Sequence, residues 1–239
     1  SKKLLRGKTF DLKAEIAPSN ATNQAITWKS SNPSVATVDQ NGKVKAQKPG
    51  QTVITATAAD QGKVSAACTI TVPYKITYKL NKGKNHKSNP TSYYNQKITL
   101  KKPTRKGYTF SGWYTDKKFK KKITVIAKTS KKDLTLYAKW KKVTVKTPTI
   151  KKVTNSAKKK MKVTIKKVTG AKGYRILYAT DKKFKKGKKT VLTKTTSKTI
   201  TKLKKGKTYY VKVCAYKLDS KGSKVYGKYS KVKKVKIKK

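Results

Sequence analysis

Acidic side chains are nearly missing from this sequence: eight Asp and Glu stand among 239 residues, against 65 Lys and Arg. So few carboxylates leave little from which to build an acid–base pair or a hard-cation site. They are also scattered singly, at Asp11, Glu15, Asp39, Asp60, Asp116, Asp133, Asp181 and Asp219. Histidine is rarer still. His86 is alone in the polar stretch Lys84-Asn85-His86-Lys87-Ser88-Asn89, with no carboxylate nearby in sequence to orient it. It reads as a solvated loop residue rather than a catalytic base or metal ligand. Cys68 and Cys214 are far apart on separate strand-like stretches and are expected to be free core thiols, not a disulfide or zinc pair.

Other absences narrow the function further. No apolar run approaches the ~18 residues of a membrane-spanning helix, so membrane insertion is not expected. No GxGxxG pattern occurs, and the one GxxxxGK run, Gly222 to Lys228, is followed by Tyr229 and not by the Ser or Thr that a phosphate loop needs, which removes the common phosphate loops. Arginine is confined to Arg6, Arg105 and Arg175, too few for the bidentate contacts that read nucleic acid specifically, so nucleic acid is expected to bind only non-specifically. No signal peptide or wall-sorting motif is visible, and the chain starts abruptly inside a strand-like pattern, as a piece of a longer protein would. Catalytic residues, cofactors and metals are therefore expected to be none.

What is present in excess is lysine, and the formal net charge is +57. Low hydrophobicity with high charge is a composition typical of disorder. Pattern overrules it: Val, Ile, Thr and Tyr fall in short alternating runs such as Phe10, Leu12, Ala14, Ile16, the signature of half-buried strands. The fold class is expected to be all-β, as three small modules in a row at 1–72, 73–142 and 143–239.

In 1–72, strands are expected near 9–17, 25–29, 35–39, 42–46, 52–59 and 64–72. The Asn41-Gly42 step suggests a tight hairpin with both turn residues at positive φ. The run Ala25-Ile26-Thr27-Trp28-Lys29-Ser30-Ser31-Asn32-Pro33-Ser34-Val35-Ala36-Thr37-Val38, followed by Gly42-Lys43-Val44 and Pro49-Gly50-Gln51-Thr52-Val53-Ile54, resembles the bacterial Ig-like group 2 domain. In 73–142, Pro103-Thr104-Arg105-Lys106-Gly107-Tyr108-Thr109-Phe110-Ser111-Gly112-Trp113-Tyr114 and Leu134-Thr135-Leu136-Tyr137-Ala138-Lys139-Trp140 resemble the internalin-type B repeat, or Listeria-Bacteroides repeat. That family implies a small β-grasp-like fold on a bacterial surface protein. Asn81-Lys82-Gly83 stands where the family usually has a Gly-Gly pair.

The stretches Met161-Lys162-Val163-Thr164-Ile165, Gly173-Tyr174-Arg175-Ile176-Leu177-Tyr178 and Leu203 to Val213 resemble a fibronectin type III domain. The resemblance implies a tyrosine corner at Leu203 and Tyr209, and Ile165 takes the place of the family's usual core Trp. The hexamers Asp116-Lys117-Lys118-Phe119-Lys120-Lys121 and Asp181-Lys182-Lys183-Phe184-Lys185-Lys186 repeat across two modules. They read as Asp-started turns whose Phe folds back onto its own sheet, the alternative being a basic-aromatic ligand clamp.

Charge is distributed as a gradient. Residues 1–72 hold ten basic and four acidic residues (net +6), 73–142 hold 21 and two (+19), and 143–239 hold 34 and two (+32). Edge protection against aggregation, or the codon bias of an A/T-rich genome, could explain part of the lysine excess without any ligand. A polycation of this size still attracts polyanions. Candidate polyanion-binding residues are Lys182, Lys183, Lys185, Lys186, Lys233, Lys234 and Lys236. The expected partner is an anionic cell-wall polymer or acidic polysaccharide, bound by a monomeric, secreted or surface-anchored bacterial protein serving as spacer and attachment segment. Two alternatives remain. One is a carbohydrate-binding appendage of a polysaccharide-degrading enzyme, with Tyr93, Tyr94, Trp113 and Tyr114 as the dense aromatics. The other is an adhesin for a host protein or glycosaminoglycan.

Overall fold

The computed structural model describes residues 1–60 and 64–238, and all regular structure in them is β-strand. Packing of the backbone divides the chain into two compact units. The first comprises Ser1–Asn81, Asn85–Lys101 and Gly112–Ala138, and the second Lys82–Lys84, Lys102–Ser111 and Lys139–Lys239.

The first seven strands are β1 (Lys2–Lys3), β2 (Thr9–Asp11), β3 (Ile26–Ser30), β4 (Ala36–Val38), β5 (Lys43–Ala46), β6 (Gly50–Ala58) and β7 (Ser65–Val72). They form a four-stranded sheet of order β1-β7-β6-β3 and a three-stranded sheet of order β2-β5-β4. The alternation Lys43-Val44-Lys45-Ala46 shows why: each Lys is exposed and each apolar residue is buried, in a core shared with Ala36, Ile54, Ile70 and Val72.

Two expectations need correction. The strand over 9–17 stops at Asp11, although Leu12, Ala14 and Ile16 stay half-buried and Lys13 and Glu15 exposed. Alternation reports which side faces the core, whereas a strand also needs a partner. Leu12 donates its N–H to the Gly42 carbonyl, and there the partner chain turns away. In that turn only Gly42 has positive φ (79°). The Asp39 carbonyl accepts from Gly42 N–H and its carboxylate from Asn41 and Lys43 N–H, making a longer loop in which a single position is left-handed.

The next strands are β8 (Tyr74–Lys79), β9 (Ser92–Tyr93), β10 (Ile98–Thr99), β11 (Tyr108–Tyr114), β12 (Lys122–Ile123), β13 (Val125–Ile126) and β14 (Leu134–Lys142). Their main sheet has the order β12-β11-β14-β8-β9, with β10 and β13 paired apart from it. β8 and β14 are parallel neighbours, Leu134 opposite Ile76 and Leu136 opposite Tyr78. A parallel pair needs a long crossover, here everything between the two strands. Asn81 and Lys82 have φ of 48° and 67°, the left-handed geometry for which a glycine pair is suited. The Asn81 side-chain amide donates to the Ala138 carbonyl.

The last strands are β15 (Ile150–Ala157), β16 (Lys160–Ile165), β17 (Gly173–Ala179), β18 (Lys189–Thr193), β19 (Ser197–Ile200), β20 (Thr208–Leu218), β21 (Lys224–Tyr226) and β22 (Lys233–Lys236). A β15-β16-β19 sheet faces a β18-β17-β20 sheet, and β21 and β22 both pair with β20. Met161, Val163, Ile165, Ile176, Val211, Val213 and Ile237 pack between them. Ile165 is buried where the type III family has Trp. The tyrosine corner forms as its motif implies: Leu203 and Tyr209 are buried, and the Tyr209 hydroxyl accepts the Lys204 N–H at 3.0 Å. A Tyr209→Phe variant is expected to lose about 1 kcal/mol, the usual net worth of one such bond. A lower urea midpoint at unchanged slope would register it, and an unchanged midpoint would contradict it.

Candidate anion-binding surface

β20 organises the surface that carries the candidate lysines. Its residues 209, 211 and 213 point into the sandwich core, so Tyr210 and Lys212 lie on the outer face. Tyr210 stands opposite Ala179 on β17 and Lys234 on β22, and Lys212 opposite Leu177. Leu177, Ala179 and Phe184 form a small apolar cluster on this face, with Tyr210 and Tyr229 packed against it.

Phe184 reaches that cluster from the turn after β17. The Asp181 carboxylate accepts the N–H groups of Lys183, Lys185 and Lys186, and Phe184 takes φ of 55°. Its burial as an anchor leaves Lys182, Lys183, Lys185 and Lys186 exposed. Asp116 builds the same turn: it accepts from Lys120 and Lys121 N–H, and Phe119, also at φ 55°, meets Tyr114 edge-on at 5.4 Å. Backbone N–H donors, Lys183 foremost for Asp181 and Lys121 for Asp116, hold both carboxyls below the usual carboxylate range. The repeated hexamer is thus an Asp-capped turn with an inward Phe, and neither ring serves as a clamp face.

Two hollows meet at Tyr210. One of about 330 Å³ is lined by Lys182, Tyr210, Val232, Lys233 and Lys234. The other, about 610 Å³, also has Tyr210 in its wall, together with Lys189, Lys204 and Lys207. Folding therefore brings Lys182 beside Lys233 and Lys234, about 50 positions away in sequence. Lys183, Lys185, Lys186 and Lys236 are exposed but line neither hollow. Lys233 is partly engaged, since its ammonium donates to the Lys151 carbonyl at 3.0 Å. Sequence reasoning missed Tyr210, Lys189, Lys204 and Lys207. Strand parity could have found Tyr210, because Tyr209 faces the core and its neighbour must face out.

Cations elsewhere on this face lie against aromatic rings. The Arg175 guanidinium sits 3.5 Å from the Tyr226 ring centre, and the Lys212 ammonium lies 4.4 Å from Phe184 and 4.9 Å from Tyr229. Cys214 is buried on the same strand, and burial pushes its thiol up, away from reactivity. It is free, as is half-buried Cys68. His86 is exposed, its Nδ1 accepting the Ser88 N–H. Among the described residues no group of three or more His, Cys, Asp or Glu could hold a metal.

Five of the eight carboxylates serve the backbone. Asp39, Asp116, Asp181 and Asp219 accept main-chain N–H groups, and Asp133 accepts the Lys75 N–H while pairing with Arg6 at 3.0 Å. With eight acids to 65 cations, most of the positive charge has no carboxylate to meet. Tyr93, Trp113 and Tyr114 do not join Tyr94 in an exposed aromatic platform. Tyr93 is fully buried and donates to the Lys132 carbonyl, Trp113 is buried and donates to Lys101, and Tyr114 is occupied by Phe119.

Comparison with known proteins agrees with these modules. Residues 1–70 match the bacterial Ig-like domain (group 2), and residues 74–139 the Listeria-Bacteroides repeat domain. A protein of Clostridium acetobutylicum is 44% identical over 70 residues, which is 29% of this chain and 7% of that protein. Lacto-N-biosidase of Bifidobacterium bifidum is 49% identical over 69 residues, 29% of this chain and 6% of the enzyme. The chain thus spans only a small part of these relatives. The FN5 domain of Drosophila Lar is 22% identical, covering 40% of this chain and 98% of that domain with a TM-score of 0.32. Type III likeness in 143–239 rests on strand order and the tyrosine corner, not on that overlap. No helix among the described residues is long and apolar enough to cross a membrane. Residues 1–70 are a bacterial Ig-like domain of group 2 and residues 74–139 a Listeria-Bacteroides repeat domain, non-catalytic modules of extracellular or cell-surface bacterial proteins, here followed by a fibronectin type III-like sandwich.

Proposed function

We propose that the three modules 1–72, 73–142 and 143–239 form a spacer and attachment segment that holds an anionic cell-wall polymer, mainly through the last of them. The observation that supports this reading is the pair of lysine-lined hollows joined at Tyr210, on the module of highest charge. Lysine is a point charge that tolerates any phosphate or carboxylate geometry, which suits a flexible polymer better than a defined small ligand. Tyr210 adds an apolar surface for the polymer's backbone between its charges.

The test is pull-down of the whole chain on purified Gram-positive walls with and without teichoic acid. Binding is expected only to the complete walls, and to fall steeply as salt rises from about 0.05 to 0.5 M, where screening shortens to a few Å. Equal retention on both walls, or indifference to salt, would refute the reading. A second reading, an appendage of a polysaccharide-degrading enzyme, is favoured by the similarity over 69 residues to lacto-N-biosidase. A catalytic domain in the same open reading frame would decide for it.

A further inference from the structure

The hollow of about 860 Å³ in the first compact unit has features that a general polycation does not need. Tyr74 and Tyr94 line it with rings nearly parallel, 14° apart and 6.4 Å between centres. Pairing of β8 with β9, Tyr74 opposite Tyr93, brings them together across 20 positions of sequence. Lys48, Lys128 and Lys131 stand around the hollow, all exposed, and none of the eight acids lines it. Asn95 sits at its edge with φ of 48°, a left-handed conformation that a β-carbon makes costly. The side chains of Asn95 and the three lysines make no hydrogen bond or ion pair among the described residues. Asn32, Gln51 and Thr129 add amide and hydroxyl groups to the lining.

Each group answers a different part of one kind of molecule. An aromatic face takes the apolar side of a pyranose ring, amides exchange hydrogen bonds with hydroxyls, and ammonium groups meet carboxylates. A concave site of this volume falls in the range that encloses small ligands. We infer that the hollow lined by Tyr74, Tyr94, Asn95, Lys48, Lys128 and Lys131 binds an acidic oligosaccharide, a uronate ring resting on the tyrosines with its carboxylate toward the lysines. The site is separate from the Tyr210 surface, and it places a sugar-reading element outside the module of highest charge.

The experiment uses the full chain in which Lys182, Lys204, Lys207 and Lys234 are glutamine, so that failure of the Tyr210 surface cannot be mistaken for failure of this site. Hexagalacturonate, and hexaglutamate of the same charge, are titrated calorimetrically. Hexagalacturonate is expected to bind the more tightly. Tyr94→Leu, which keeps apolar bulk beside Tyr74, is expected to weaken it tenfold or more and to leave hexaglutamate unchanged. Lys128→Gln with Lys131→Gln, both at exposed positions that leave the core intact, is expected to weaken hexagalacturonate to a similar degree. Absence of hexagalacturonate binding, equal affinity for the two probes, or retention of affinity in either variant overturns the site. Should Tyr94→Leu lower the thermal midpoint, the lysine pair alone decides.

Discussion

Replacing Asp219 by alanine is expected to cost about 3 kcal/mol, far more than an acidic residue in a surface turn usually contributes. Asp219 is 6% exposed, and its carboxylate accepts the N–H groups of Gly107, Lys221 and Ser223 at 2.8 to 2.9 Å. Ser220 beside it exchanges two bonds with the Arg105 backbone and donates its own N–H to the Tyr108 carbonyl. Truncation leaves donors in this closed turn without an acceptor, which is more costly than the bonds are worth when made. Burial pushes the Asp219 carboxyl up, but the N–H donors outweigh it and hold the group below its ordinary 3.8. A carboxyl depressed on folding adds stability above its unfolded value and loses it as pH falls through the folded one. Wild type is therefore expected to lose this contribution below about pH 4. Asp219→Ala should be less stable at pH 7 yet less sensitive to acid. Thermal melts of both proteins at pH 7, 4 and 2.5 test this, and parallel pH profiles would refute it.

Gly42→Ala is the second large effect, with an expected loss of about 2 to 4 kcal/mol. Gly42 has φ of 79°, and an added β-carbon would lie 2.6 Å from the Leu12 carbonyl oxygen and 2.9 Å from the Trp28 ring. The first contact is with backbone that itself accepts no freedom to retreat, because Leu12 N–H is bonded to the Gly42 carbonyl. Gly7 supplies the control: its φ is 77°, and nothing lies within 4 Å of the corresponding position. Gly7→Ala should show only the left-handed penalty of about 1 kcal/mol. Equal urea midpoints for the two variants would mean that the close approach at Gly42 contributes nothing.

These cases show what could be read in advance. Lys43-Val44-Lys45-Ala46 is legible as a half-buried strand because a period of two is a local property. Strand ends were not, and the alternation through Leu12, Ala14 and Ile16 outlasts the ladder for want of a partner. The Asp-Lys-Lys-Phe turns were legible because an Asx cap and its Phe act within six residues. Nothing near Asp219 in sequence announces its role, since its partner Gly107 lies 112 positions away. Likewise the approach of Tyr74 to Tyr94 depends on the pairing of β8 with β9.

Composition and short-range pattern by themselves determined that this protein is all-β and modular, with charge rising toward the C-terminus. Those properties follow from residue counts and from spacing within one strand or turn. Tertiary structure alone decided which lysines lie together, that Tyr210 joins two hollows and that Tyr93 is spent in a core. Binding surfaces are made by side chains from several strands, and strand pairing, unlike alternation, is written in no single stretch of the chain.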